Sequence, residues 1–431
     1  MDYQSIYEKK KGSIEDVLGL IEDGDQIISS ACANEPFNIL SQLHTVLDKG
    51  VRDLRIYISL TTGEYKFINN PAYKGMMEIE SVFFGRTNRL AGEDNGSLVP
   101  INLSDIPRKL AANRPPNVFF VSVTPMDEEG YLRTSLTNIY SYYYLHNVEK
   151  LIVEVNPNLP FVEGTMKVHI SEVAGLVEVD TPVSKLPKSK ISDEERKIGE
   201  NVATLIDDGD TVQFGIGGIP DALADALAGH RDLGIHTEMI NSTMGKLMRD
   251  GVVTNEKKTL YTGKTAAVFA WGDDELYKMM DRSDRFIILE GNHINDPRVI
   301  AQNDNMKSVN AAINVDLTGQ IAAETIGYHQ YSGAGGQFDT ALGASWSKGG
   351  MSVIALRSTA KNDSVSTINM FLPLGTTVTL SRNIVDFIVT EYGIAPMRGR
   401  PIRDRAKALI EIAHPKFREQ LLFEAKKCKY L

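Results

Sequence analysis

The residues of this chain best suited to chemistry lie in one stretch, 211–239, TVQFGIGGIPDALADALAGHRDLGIHTEM. Val212, Phe214 and Ile216 alternate with Gln213 and Gly215 at the period of a strand, and the run ends in Gly215, Gly217 and Gly218. A backbone without Cβ atoms turns sharply there and lets a bulky ligand come close. Pro220 suits the first turn of a helix, where its missing N–H is not needed, and Asp221 favours the positive helix end. Leu223 and Leu227 carry that helix to near Gly229, and residues 235–240 read as a second strand, with His236 and Glu238 on one face and Thr237 and Met239 on the other. In a parallel α/β unit the loop and the tip of the second strand both lie at the carboxyl edge of the sheet, where ligands bind. Three readings fit. Glu238 could hold a ribose, as the acid ~20 residues beyond a dinucleotide glycine loop does. It could act on another ligand, or the stretch could be a tight turn beside a solvated acid. Pro220 stands where the dinucleotide fingerprint needs its third glycine.

The elements around this stretch occur twice. LIEDGDQIISSACANEPFNIL at 20–40 aligns with LIDDGDTVQFGIGGIPDAL at 205–223, and RDLRI at 52–56 with RDLGI at 231–235. Each copy reads as helix, Asp-Gly-Asp turn, strand, loop, helix, strand, so the chain is expected to hold two related α/β halves. The Pro-, Lys- and Ser-rich segment 181–196 reads as their linker, giving domains 1–185 and 186–431 with open, mainly parallel sheets. Glu238 aligns with Ser59, so only the second half carries the acid. Further strands are expected at 118–123, 151–155, 285–289 and 351–356, a helix at 13–22, a helical region at 403–422 with a break at Pro415, and a second glycine-rich loop at 328–337.

Composition narrows the class. At ~100–200 residues per domain, 431 residues suggest two or more domains, and no run of ~18 apolar residues spans a membrane. The charged amino terminus lacks the apolar core of a secretory signal. Cys32 and Cys428 are too few for a disulfide framework or metal cluster, which points to a reducing cytoplasm and to chemistry without a metal. A net charge of −10 argues against nucleic-acid partners, although local bases can still bind a phosphate-bearing cofactor.

Several segments in order along the chain resemble the acetyl-CoA hydrolase/transferase family, and most closely its 4-hydroxybutyrate and butyrate CoA-transferase branch. They are NEPFNIL at 34–40, VTPMDEEGY at 123–131, VNPNLPFVEG at 155–164, GIGGIPDAL at 215–223, HTEM at 236–239, NVDLTGQI at 314–321, SGAGGQFD at 332–339, VTEYGIAPMRGR at 389–400 and ALIEIAHPKFR at 408–418. The resemblance implies that Glu238 becomes a glutamyl-CoA thioester and that Gly215, Ile216, Gly217, Gly218 and Ile219 form part of the coenzyme A site. Gly335 and Gly336 are expected to contact CoA or to donate N–H groups to the acyl oxygen, with Asn314 and Lys361 as further CoA contacts. His236, His329, Tyr331 and Ser332 are candidates for the acyl pocket.

The activity so implied is CoA transfer between a short-chain acyl-CoA and a short carboxylic acid, 4-hydroxybutyrate with acetyl-CoA foremost and butyrate or propionate as alternatives. Acyl-CoA hydrolysis on the same fold is the nearest rival, followed by an NAD-dependent oxidoreductase and a CoA-binding protein without catalysis. Acyl-CoA is then a substrate, no nicotinamide takes part, and the family suggests a homodimer or a dimer of dimers. A carboxylate nucleophile is expected to be ionised already at neutral pH.

Overall fold

The computed structural model describes residues 2–92 and 95–431. Two compact units form: the chain up to Leu186 together with Ala267–His293, and Pro187–Ala266 together with Ile294–Leu431.

The first unit is built on seven parallel strands, β1 (Gln26–Ser29), β2 (Leu54–Tyr57), β3 (Met77–Ser81), β4 (Gly96–Leu98), β5 (Val118–Val123), β6 (Lys150–Val155) and β7 (Gly175–Glu178), in the order β4-β3-β2-β1-β5-β6-β7. All six residues of β5 are buried, so VFFVSV is apolar almost throughout, without the alternation of a half-exposed strand. Ile27, Ile39, Leu40, Leu54, Ile56, Phe67 and Phe120 pack into the core beside it. The helix expected at 13–22 is shorter, Ile14–Leu18: Ser13 and Asp16 close a capping box at one end, and Gly19 takes the cap at the other.

The sheet of the second unit runs β9-β8-β10-β11-β12-β13, from β8 (Thr211–Phe214), β9 (Gly234–Ile240), β10 (Met306–Ala311), β11 (Met351–Ala355), β12 (Phe387–Thr390) and β13 (Gly393–Pro396). All neighbours are parallel except the terminal pair β12 and β13. The chain leaves β8 to one side for β9 and returns on its other side as β10, so the carboxyl end of β8 is the point where the strand order reverses and a crevice opens. Helices Asp193–Ala203 and Gly218–Ala226 lie against each other, and a Cβ on Gly199 would stand 2.6 to 2.8 Å from the backbone of Ala222 and Leu223.

The internal repeat holds down to single hydrogen bonds. Gly24 N–H donates to Arg52 O at 3.0 Å and Gly209 N–H to Arg231 O at 2.9 Å. The Arg52 N–H donates to Asp23 and the Arg231 N–H to Asp208, both at 2.8 Å. Buried Asp25 and Asp210 each accept a backbone N–H three residues back, and Asp53 and Asp232 share the left-handed region at φ 58° and 57°. The loops themselves differ by two residues, although Cys32, with φ 56°, and Gly217, with φ 113°, both turn to positive φ there.

Candidate active site

The glycine loop follows β8. Gly217 caps the helix Gly218–Ala226, Ile216 is 43 % exposed, and Ile219 lies in the first helical turn. A Cβ on Gly215 or Gly217 would meet nothing within 4 Å, so both glycines border open space that a ligand can enter. Gly218 serves packing instead: a Cβ there would collide with the carboxylate of Glu195, which caps the preceding helix. Asn241, just past β9, ties loop to strand by donating its amide to Gly215 O at 3.0 Å, while its Oδ1 caps the helix Ser242–Arg249.

Glu238 is the fifth residue of β9 and is partly buried. The paired register of β8 on β9 ends at Val212 with Ile235, which leaves Glu238 near the carboxyl edge. The Asn295 amide donates to Glu238 Oε2 at 3.2 Å, and the Gly336 backbone packs directly against the same carboxylate. Burial raises the carboxyl to about 7, against the opposing pull of the Asn295 amide and the Gly336 backbone. Full ionisation at neutral pH, expected from the sequence, therefore does not hold. A group near 7 is divided between acid and carboxylate there, and its charged form lacks the water that would dull it as a nucleophile.

His236, two residues earlier, is buried, with Nε2 2.9 Å from Ile294 O and its ring stacked on Tyr261 at 6.3 Å. It therefore holds the peptide next to Asn295. Below the strand Lys258 is buried and donates to Ile235 O at 2.6 Å and Lys264 O at 2.7 Å, and its stem crosses Gly234 so closely that a Cβ would stand 2.3 Å from Lys258 Cγ.

Of the second glycine loop, Gly335 has φ 51° and Gly336 caps the helix Gln337–Trp346. The Gln337 side chain donates to Ala311 O at 3.0 Å, tying that helix start to the end of β10. The N–H groups of Tyr331 and Ser332 donate to Glu324 O at 2.8 and 2.9 Å, and the ring of exposed His329 lies tilted against that of Tyr328, 4.1 Å between centres. Asn314 accepts from Asn369 at 3.1 Å, and Lys361 lies exposed in a turn of three left-handed residues, Lys361, Asn362 and Asp363. The sequence-nominated residues with demonstrated contact to the carboxylate centre are thus Glu238 and Gly336. Asn295 escaped sequence reading, where its only signal was the polar run after the strand Phe286–Ile288.

Two open sheets built on one repeated strand order, with a desolvated carboxylate at the switch point, are the frame of an α/β enzyme of the coenzyme A transferase class. The chain belongs to the acetyl-CoA hydrolase/transferase family: the profile of its N-terminal domain matches residues 1–187 and that of its C-terminal domain residues 272–425. The 4-hydroxybutyrate coenzyme A transferase of Clostridium kluyveri is 37% identical over 99% of this chain and 100% of its own. The butyryl-CoA:acetate CoA-transferase of Anaerostipes caccae is 32% identical over 100% of this chain and 98% of its own. Among solved structures, RipA from Yersinia pestis superposes with a TM-score of 0.93 at 35% identity, each chain covered over 100% of its length. Among the described residues no helix is long and apolar enough to cross a membrane.

Proposed function

We propose that the enzyme moves CoA between a short-chain acyl-CoA and a short carboxylic acid, with acetyl-CoA and 4-hydroxybutyrate as the pair, by a two-stage route through Glu238. A Glu238 oxygen attacks the thioester carbon of the donor, the C–S bond breaks, and CoA leaves as thiolate from a mixed anhydride. The thiolate then attacks the Glu238 carbonyl carbon, expels the first acid as carboxylate and leaves a glutamyl-CoA thioester. The incoming acid runs the sequence in reverse, so charge balances at each step and no proton needs to move.

The observation that carries this reading is the carboxylate of Glu238, desolvated and held between Asn295 and Gly336 beside a glycine loop bordering open space. When Glu238 is acylated, the Asn295 amide is placed to stabilise an oxyanion on its carbonyl, where losing such a donor costs ~2.7–4 kcal/mol of barrier. Gly215 to Ile219 take the pantetheine and phosphate portions of CoA, and Ser332, Tyr331 and His329 border the acyl end. The full-length similarity to transferases acting on 4-hydroxybutyrate and butyrate supports the choice of short acids, and a homodimer is the proposed assembly.

Mass spectrometry after incubation with acetyl-CoA and then borohydride should find reduction confined to the peptide holding Glu238. Reduction elsewhere, or free CoA released at the full rate without an acceptor acid, would replace this route by another nucleophile or by hydrolysis.

A further inference from the structure

Two segments of the family pattern play no part in the chemistry of Glu238, namely 123–131 and 155–164. Both line one cavity of about 910 Å³, formed entirely by the first unit at the carboxyl ends of β5, β6 and β7. The volume is that of a site for a molecule of nucleotide size. Its cations are Arg133, Lys278 and Arg282, and its acids are Asp127, Asp180, Asp274 and Asp281.

The acids are all occupied. Asp127 accepts the N–H groups of Glu129 and Tyr131 at 3.1 and 2.8 Å, and Asp281 accepts that of Phe161 at 2.8 Å. Asp274 pairs with Lys185 at 2.6 Å, and Asp180 accepts the Asn158 amide at 2.8 Å. The cations are less engaged: Arg133 forms one long ion pair with Asp127, at 3.7 Å, and Lys278 and Arg282 have no carboxylate partner among the described residues.

The two guanidinium groups are nevertheless held in place. Arg133 and Arg282 lie 5.2 and 5.6 Å from the centre of the Phe161 ring, contacts that orient a guanidinium without using its N–H groups. The Arg282 N–H also donates to Phe161 O at 2.8 Å, and Arg282 has φ 53°, a left-handed conformation that is strained for a residue with a side chain. Two oriented guanidinium groups and an ammonium, all with unused donors, thus face a nucleotide-sized space on a protein of net charge −10.

We propose that this cavity binds a phosphate-bearing anion of nucleotide size, its phosphates held by Arg133, Lys278 and Arg282. The site uses no residue of the Glu238 centre and stands whether or not that centre works as proposed above.

Calorimetric titration of the full-length enzyme with ADP tests it, the parent set beside a double variant. One further site per chain is expected, weakened by added salt and bound tenfold or more weakly by the double variant Lys278→Ala, Arg282→Gln. Both replaced residues are exposed, and acyl exchange by this variant should equal that of the parent. Pyrophosphate should compete with ADP, and adenosine should bind far more weakly. An absence of ADP binding, unchanged affinity in the double variant, or adenosine binding as tightly as ADP would each overturn the proposal.

Discussion

A Cβ on Gly336 would stand 2.0 Å from Glu238 Oε2, well inside contact distance, and 2.1 Å from Asn295 Nδ2. The second glycine loop therefore reaches the carboxylate at a distance only a glycine allows. With φ −96° and ψ 9°, Gly336 has a backbone that alanine can also adopt, so the loss of Gly336→Ala falls on the site and not on the turn. A nucleophile displaced by the order of an ångström loses about 100-fold in rate. Acyl exchange by Gly336→Ala should drop by at least that factor while the melting temperature stays near the parental value.

The pH dependence follows from the position of Glu238 near 7. Only the carboxylate attacks, so acyl exchange should climb with pH up to about 7 and level off above it. For stability the folded value lies above the ordinary 4.5, so the folded state holds the proton more tightly, and stability falls as pH rises from 4.5 to about 7. Glu238→Gln removes that penalty. At pH 8 it should be more stable than the parent by up to about 3 kcal/mol, less what solvent screens, and at pH 4 the two should coincide in denaturant titrations, with exchange abolished at either pH.

Asn295 donates to the charged form of Glu238, so Asn295→Ala should move the rising limb of the rate profile to higher pH. A hydrogen bond to a charged group is worth ~1.5–3 kcal/mol, which corresponds to a loss of roughly 10- to 100-fold at neutral pH. A loss at all pH values without any movement of the profile would show that Asn295 supports the fold alone.

Lys258 reports on the strand beneath. Burial lowers its ammonium from 10.5 to about 7, so the folded protein resists protonation there and stability should rise as pH goes from 7 to 10.5. In Lys258→Met that rise should vanish from the Lys258 contribution, and the carbonyls of Ile235 and Lys264 lose their donor. At pH 7 the unpaired carbonyls should cost ~1–3 kcal/mol each in denaturant titrations, partly offset by removal of the buried charge.

Local pattern carried much of this into the sequence. The Asp-Gly-Asp turns, the strand period and Pro220 at a helix start are set by neighbours a few residues apart, and the hydrogen bonds at Gly24 and Gly209 reproduce the repeat they predicted. Strand ends were less legible: of the strand expected at 285–289 only Phe286–Ile288 forms. His236, nominated for the acyl end, is buried against Ile294 and Tyr261, because its face of β9 is covered by chain that periodicity does not reveal.

By itself the sequence determined which carboxylate was available and which glycines would let a ligand near it, since those depend on residue type and on spacing along one strand-loop-helix unit. Tertiary structure alone decided that Asn295, 57 residues further on, and Gly336 would close on Glu238. It also decided that the carboxyl would titrate near 7, because desolvation sums over every atom that packing brings near a charge, whatever its distance along the chain.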